Sequence, residues 1–194
     1  MKSLENRYIK SLDKHKIPNP ETGDQGEAAE KAVDEFLPFL IPELKVRPAT
    51  PLEDSGKSQI VKDKALDRIG YLEGRAVIGL QITTTTDSAI RSSKSEDLLN
   101  RPFIRLDEMT AADTAIPRAL VFLDAEEVRS FSADHNIPKH TKLASQIIEG
   151  IANSLKLDLM KTENPKEKDG INELLHRLDE SKKILKEKEE GKEL

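Results

Sequence analysis

Two segments on either side of Glu73-Gly74 constrain the fold of this chain more than any other feature. Residues 65–72 and 75–83 combine apolar and β-favouring side chains, and two such segments joined by a short glycine-containing connection are typical of a β-hairpin. Successive side chains of a strand point to opposite faces, so Gln81 and Thr83 share one face of the second segment. The sequence therefore predicts a hairpin with a polar pair on one surface.

The register of this hairpin depends on the length of its turn. A three-residue turn over 72–74, with its glycine in the left-handed conformation, places Asp67 opposite Gly79 and on the same face as Gln81 and Thr83. A two-residue turn shifts the register by one residue and sends Asp67 to the other face. Whether Asp67 lies beside the polar pair is therefore decided by the turn.

Apolar spacing predicts helices on both sides of the hairpin. One helix ends near Leu40, and the clearest one covers residues 141–159. Between the hairpin and that helix, the apolar run at 116–123 has the length of a buried strand. Asp124 with Glu127 then resembles a capping box that begins a further helix.

The connections complete the predicted fold. A short strand is expected over 43–47 and a loop over 48–58, where two prolines and a glycine stand among polar residues. The Thr- and Ser-rich stretch 84–95 is expected to begin as a loop, with Ser95 capping a short helix. Together these elements predict an α/β fold in which a small mixed β-sheet is flanked by helices.

Both ends of the chain are more polar than its centre. Residues 1–20 end in two prolines and are predicted to form an arm, and residues 21–160 to form the α/β core domain. Residues 161–194 contain 19 charged side chains in 34 positions, and Asn164-Pro165 is a typical helix start. An exposed, charged C-terminal helix is expected, either a solvated helix that is frayed or packed, or one that binds a partner.

Composition excludes several classes of protein. The chain has no cysteine and four histidines, so thiolate chemistry is excluded, a histidine-rich metal site is not expected, and any metal would have oxygen ligands. No apolar run approaches the roughly 20 residues that cross a bilayer, and no signal-like segment is found at the N-terminus. We therefore expect a cytoplasmic protein without a membrane partner.

The net charge of -5 argues against a protein that coats nucleic acid through bulk electrostatics. One segment differs from this negative net charge, because residues 57–105 contain nine basic and six acidic side chains. This segment also includes the polar pair of the hairpin. A local phosphate-binding patch is consistent with it, and so is a solvated surface with chance clustering of charge.

Asp67 followed by Gln81-Ile82-Thr83, behind a helix with Glu27 and Glu30 and ahead of a helix and a buried strand, resembles the PD-(D/E)xK nuclease superfamily over residues 24–124. In that family an Asp and a Glu hold a divalent metal, a Lys two positions after the Glu activates or orients water, and a helix Glu often assists. The resemblance implies a restriction-endonuclease-like core with Mg²⁺ as cofactor. It makes Asp67 and Gln81 the metal ligands, assisted by Glu27 or Glu30, with Thr83 at the lysine position.

Two positions depart from the pattern of that family. Gln81 replaces the metal-binding glutamate and offers a hard cation only a neutral carbonyl oxygen, although some members of the superfamily carry Gln there. Thr83 replaces the lysine and has no charge with which to stabilise an attacking hydroxide. Lys64 or Lys94 could supply the missing charge.

Two functions from different classes remain open. The first is a nuclease-like domain that hydrolyses phosphodiesters with Mg²⁺ or binds nucleic acid without cleaving it. In that case Arg68, Arg75, Arg91 and Lys94 of the basic segment would contact phosphates. The second is a non-catalytic interaction module that docks a protein partner through the charged helix of residues 161–194.

Overall fold

A computed structural model describes residues 23–48, 66–100 and 116–189 of the chain. In chain order the described elements are α1 (Gly23–Leu40), β1 (Lys45–Pro48), β2 (Arg68–Leu72), β3 (Arg75–Thr83), α2 (Ser88–Asn100), β4 (Arg118–Phe122), α3 (Ala125–Ala133), a 3₁₀ turn (Ile137–Lys139), α4 (Thr141–Lys161) and α5 (Pro165–Glu189). The arm expected over 1–20 and most of the loop expected over 48–58 lie outside the described residues.

The four strands form one mixed sheet in the order β1-β2-β3-β4. Strand β2 is antiparallel to β1 and β3, whereas β3 and β4 are parallel. A parallel pair needs a crossover connection, and α2 lies within the connection between β3 and β4. The predicted α/β class, a small mixed sheet flanked by helices, is confirmed.

The hairpin between β2 and β3 has a two-residue turn. Leu72 pairs with Arg75, and the intervening Glu73 and Gly74 have φ angles of 51° and 79°. Positive φ at both central residues is the signature of the type I′ turn, which follows the natural twist of a hairpin. Of the two turns considered from the sequence, the shorter one is therefore present.

A β-bulge on β3 changes the consequence of this turn. Gly70 pairs with Ile78 but Tyr71 pairs with Ala76, so Val77 is an extra residue on β3. The shorter turn and the extra residue each shift the register by one in the same direction, so Asp67 lies beside Gln81 rather than opposite Gly79 and stays on the face of the polar pair. The expectation that a two-residue turn sends Asp67 to the opposite face is therefore wrong.

The side of the sheet that carries Ile78, Leu80 and Ile82, called here the first face, packs on the main apolar core. It shares one apolar core with residues of α1, α3 and α4. Helices α1 and α3 meet through Phe36 and Phe131, whose ring centroids are 4.9 Å apart. Removal of these apolar side chains from water is the main stabilising contribution to the fold.

The opposite side, called the second face, carries Gln81 and Thr83. Leu120 and Phe122 of β4 lie on the same side, because they pair in register with Gln81 and Thr83. Helix α2 lies over this face, where the guanidinium of Arg91 is 4.8 Å from the centroid of the Phe122 ring. The two faces therefore differ in chemistry, since the first is apolar and the second mixes polar and apolar groups.

The stretch begins as a loop over 84–87, as predicted, but helix α2 already begins at Ser88, so the prediction that Ser95 caps the helix was wrong. The Oδ1 atom of Asp87 accepts hydrogen bonds from the amides of Ala89 and Ile90 at 2.8 and 3.1 Å. A side-chain cap of this kind satisfies amides that have no partner within the helix. This cap starts the helix even though the residues that follow have modest helix propensity.

Helix α5 has one buried side and one exposed, charged side. Its Ser181 hydroxyl donates a hydrogen bond to the carbonyl of Leu40 at the end of α1. The residues that join the shared core are Ile171, Leu174, Leu178 and Leu185. Of the two possibilities left open by the sequence, the helix packed on the domain is the one observed. Among the described residues, none of the helices combines the length and apolar composition needed to span a bilayer.

Candidate metal and nucleic-acid site

Asp67 lies immediately before β2, beside the Gln81–Thr83 segment of β3. Arg68 pairs with Leu80, and one further step along both chains brings Asp67 next to Gln81. The carboxylate of Asp67 accepts a hydrogen bond from the Ile82 amide at 2.7 Å. Asp67 therefore lies beside the Gln81–Thr83 segment, the arrangement that we expected to depend on the turn. The contact is at the end of the hairpin opposite that turn.

The environment of Asp67 disfavours its negative charge. Burial raises the pKa of this carboxyl above its ordinary value, and the Ile82 amide and the charges of Lys94 and Arg68 oppose that shift only in part. The group that ionises here is partly desolvated and gains from any cation placed against it. Such perturbed carboxyls are concentrated at functional sites, although ion pairs also produce them.

Gln81 is buried, with 6% of its surface exposed. Its Oε1 atom accepts no hydrogen bond from any part of the chain that the structure describes. An unsatisfied buried acceptor costs about 1–3 kcal/mol, so such an atom is rare in a folded protein unless a further group binds it. An unpaired carbonyl oxygen next to a carboxylate is the ligand combination that a hard cation prefers.

Thr83 is buried and is used by the loop that follows β3. Its Oγ1 atom accepts a hydrogen bond from the Thr85 amide at 3.3 Å. The hydroxyl is therefore a local support for the chain between β3 and α2. It adds no charge at the position where the resemblance implies a lysine.

Lys94 on α2 acts on the carboxylate of Asp67. Its charge lowers the pKa of Asp67, against the larger effect of burial, and its side chain is half-buried. Helix α2 therefore supplies a cation to the Asp67 end of the sheet. Lys64, the other lysine considered from the sequence, lies outside the described residues.

Arg68 is occupied by an ion-pair network on the α1 side of the sheet. Its Nε donates to Asp34 at 2.8 Å and its Nη1 to Glu30 at 2.6 Å. The Nη1 atom also donates to the Asp67 carbonyl at 3.0 Å. The guanidinium is nearly buried between two carboxylates, so it is not placed to contact a phosphate as the sequence suggested, and Glu30 is engaged by Arg68 rather than by a metal.

The remaining predicted site residues, Glu27 and Arg75, have positions and partners that do not involve Asp67. Glu27 is exposed and pairs with Lys31 at 2.9 Å, one turn along α1. Arg75 is exposed at the hairpin tip and pairs with Leu72, whose side chain packs on the first-face core. Within residues 23–48, 66–100 and 116–189, no group of three or more His, Cys or acidic residues is arranged to hold a metal.

Arg91 supports the second face rather than projecting freely from it. Its Nε donates to the Thr85 carbonyl at 2.7 Å, and its guanidinium stacks on Phe122. The planar group keeps further N–H donors for an anion. Arg91 and Lys94 are thus the two predicted phosphate-binding residues that α2 brings to the side of the sheet with Gln81.

The geometry fits one mode of Mg²⁺ binding. Mg²⁺ is commonly held by one or two protein carboxylates together with waters and substrate phosphates, rather than by a complete protein cage. Asp67 provides one carboxylate, and the unpaired Gln81 oxygen provides a neutral ligand beside it. Asp67 and Gln81, neighbours across the two strands by register, thus carry one carboxylate and one amide oxygen without a third acid, which matches that sparse arrangement.

Comparisons of the chain with protein-family models, with curated proteins and with solved structures give no match.

Proposed function

We propose that this protein is a nuclease-like domain that binds nucleic acid on the second face of its sheet and hydrolyses a phosphodiester with a divalent cation. The observation that carries the proposal is the buried, unpaired Oε1 of Gln81 beside the partly buried carboxylate of Asp67. The order of elements supports it, because α1, the β-hairpin, α2 and β4 follow one another as in the resemblance to the PD-(D/E)xK superfamily. A cytoplasmic location is part of the proposal.

Each residue of the site has a distinct role in this proposal. Asp67 and Gln81 would hold Mg²⁺, which would supply Lewis acidity to the phosphodiester. The Ile82 amide orients the Asp67 carboxylate through its hydrogen bond. Lys94 supplies the positive charge that Thr83 lacks and stabilises the charge that develops on the phosphate.

Metal titration tests the proposal directly. Calorimetric titration of Mg²⁺ and of Mn²⁺ into the wild type is expected to show binding, and Asp67→Ala is expected to weaken it at least about tenfold. Asp179→Ala is the matched control, since Asp179 is an exposed acid on α5. Cleavage of single- and double-stranded nucleic acid is measured on the same proteins, and the activity is expected to disappear with Asp67→Ala.

Lys94→Ala separates metal binding from chemistry. We expect it to keep the metal affinity and to lower the cleavage rate by about 10²–10³-fold, the usual effect of removing one charge-stabilising group. Equal metal affinity in the wild type and in Asp67→Ala, or a wild type that binds neither metal, would contradict the proposed site.

A further inference from the structure

The edge strand β1 places two basic side chains on the second face, the side that carries Gln81. Lys45 pairs with Tyr71, and Arg47 pairs with Ile69. Directly paired residues of neighbouring strands project to the same side of a sheet. Ile69 in turn pairs with Gly79, two residues before Gln81 on β3, so Lys45 and Arg47 lie on the side of the candidate site.

Arg47 and Tyr71 form a fixed pair on this surface. The guanidinium carbon of Arg47 is 4.4 Å from the centroid of the Tyr71 ring, and its Nη2 donates a hydrogen bond to the Tyr71 hydroxyl. Arg47 is exposed. A guanidinium held against a ring loses less conformational freedom when it binds a phosphate.

The basic groups of β1 are not neutralised by the acids of α1. Glu30 and Asp34 are held by Arg68, and no carboxylate of the described residues pairs with Lys45 or Arg47. Besides the buried Arg118 of β4, the cationic groups that the described residues place on the second face are Lys45, Arg47, Arg91 and Lys94. They extend from the edge strand to helix α2, which is the distribution that a polyanion requires.

The spacing suits a nucleic-acid strand. Tyr71 follows Asp67 by four residues, which is about 14 Å at a rise of roughly 3.4 Å per residue along β2. A duplex strand advances by roughly 3.4 Å per nucleotide, so the distance corresponds to a few nucleotides. A phosphate bound near Arg47 and another bound near Asp67 can therefore belong to one strand.

We propose that Lys45 and the Arg47–Tyr71 pair bind the sugar–phosphate backbone of the nucleic-acid strand that the candidate site acts on. This inference rests on the proposed function and extends it, because it defines the surface along which the substrate enters the site. The contacts are to phosphates, so binding is independent of base sequence.

The salt dependence of binding tests this surface. The affinity for a labelled duplex and for its separated strand is measured by fluorescence anisotropy in EDTA over a range of salt concentrations. Replacing both residues, by Lys45→Ala with Arg47→Ala, removes two phosphate contacts and is expected to reduce the slope of log K against log salt by about 2 for the duplex. Arg47→Lys is expected to keep the slope but to bind more weakly, since it cannot stack on Tyr71 in the same way.

Arg129→Ala is the control variant. Arg129 is exposed on α3, which packs against α1, and its removal is expected to leave both affinity and slope at wild-type values. Wild-type slope and affinity in the double variant would overturn the inference and leave the proposed function standing, because metal binding at Asp67 is measured separately. A wild type that binds neither form of nucleic acid overturns the inference and, with it, the nucleic-acid binding of the proposed function, whatever the metal titration shows.

Discussion

At the scale of single residues, Gln81 is distinguished, within the described part of the chain, by an unsatisfied acceptor in a buried side chain. Its side chain is buried and its Oε1 atom has no partner among the described residues, whereas the Oε1 of Gln146 accepts a hydrogen bond from the Asp124 amide at 3.0 Å. The two glutamines are therefore expected to have opposite effects on the stability of the fold, unfavourable for Gln81 and favourable for Gln146. One carries an unsatisfied acceptor, and the other satisfies a backbone donor.

Replacing each glutamine by methionine tests this difference. Gln81→Met removes a buried unpaired acceptor at similar volume, so without metal we expect the free energy of unfolding to rise by about 1 kcal/mol. Gln146→Met leaves the Asp124 amide without its partner and is expected to lower it by a similar amount, about 1 kcal/mol. Urea unfolding in EDTA measures both. A loss of stability in Gln81→Met would show that its amide already has a structural role.

Asp158 and Asp124 are expected to change the stability of the protein with pH in opposite directions. Burial raises the pKa of Asp158, so its charged form is disfavoured in the folded protein and stability falls as the pH rises through the pKa values of the unfolded and folded states. A hydrogen bond from Lys142, together with the amides of Glu127 and Glu126, lowers the pKa of Asp124. The stability contributed by Asp124 is present above its ordinary pKa and is lost as the pH falls through the lowered one.

Asn variants remove these charges while keeping an acceptor oxygen. At pH 7, Asp158→Asn is expected to raise Tm and Asp124→Asn to lower it, each by no more than about 2–4 °C in a domain of this size. Below the carboxyl pKa values both differences should shrink towards zero. Thermal unfolding followed by circular dichroism from pH 7 down to acid pH checks the sign of each, and differences that do not change with pH would contradict the electrostatic cause.

At the scale of elements, α4 protects the outer edge of β4 with one stripe of side chains at i, i+4 spacing. The Ser154 hydroxyl accepts from the Leu120 amide at 3.2 Å, and the Asp158 carboxylate accepts from the Arg118 amide at 3.2 Å. Between this pair and Gln146 stands Gly150, which lets the helix approach the strand closely. The edge amides that would otherwise be available for strand pairing are thereby satisfied.

Gly150→Ala tests how closely α4 lies against β4. A Cβ atom at Gly150 would be 2.8 Å from the Leu120 carbonyl oxygen and 3.1 Å from the Val121 Cα, both backbone atoms that cannot rotate away. Alanine gains about 1 kcal/mol in helix propensity, but overpacking costs typically about 1–3 kcal/mol. We expect a net loss of stability in chemical denaturation. The control is Gly170→Ala on α5, where a Cβ meets no atom within 4 Å and stability should rise.

Much of this architecture follows from local pattern, and the rest depends on long-range contacts. Alternation in 75–83 predicted that Gln81 and Thr83 share a face, and apolar spacing predicted α4. The protective side chains on α4 are polar, so no apolar pattern in the sequence marks them. Their role at the sheet edge can be recognised only when the position of β4 is known. Arg47 was missed for the same reason, since the polar-apolar-polar pattern of Lys45 to Arg47 becomes informative only once β1 pairs with β2.

At the scale of the whole molecule, α5 belongs to the same core as the sheet. The sequence suggested a charged tail over 161–194 beside a core domain ending at 160, because the high charge content cannot support a separate core. In the structure, a narrow apolar stripe on the otherwise charged α5 joins this helix to the core. Its buried residues pack on α4, and Ser181 reaches Leu40 at the end of α1. The apolar stripe of α5 is therefore part of the domain core, and its exposed side is the charged one.

Leu178→Ala tests whether α5 unfolds together with the rest of the domain. Leu178 is fully buried, and truncation of such a leucine costs about 2–5 kcal/mol. Ile184→Ala on the same helix is the control, because Ile184 is 43% exposed and its loss should cost under about 1 kcal/mol. If the core is shared, Leu178→Ala shifts one cooperative transition, seen equally by circular dichroism and by hydrogen exchange of α4 and β4 amides. An early, separate melting of α5 that leaves exchange in β4 unchanged would mean instead that the charged helix is an independent unit.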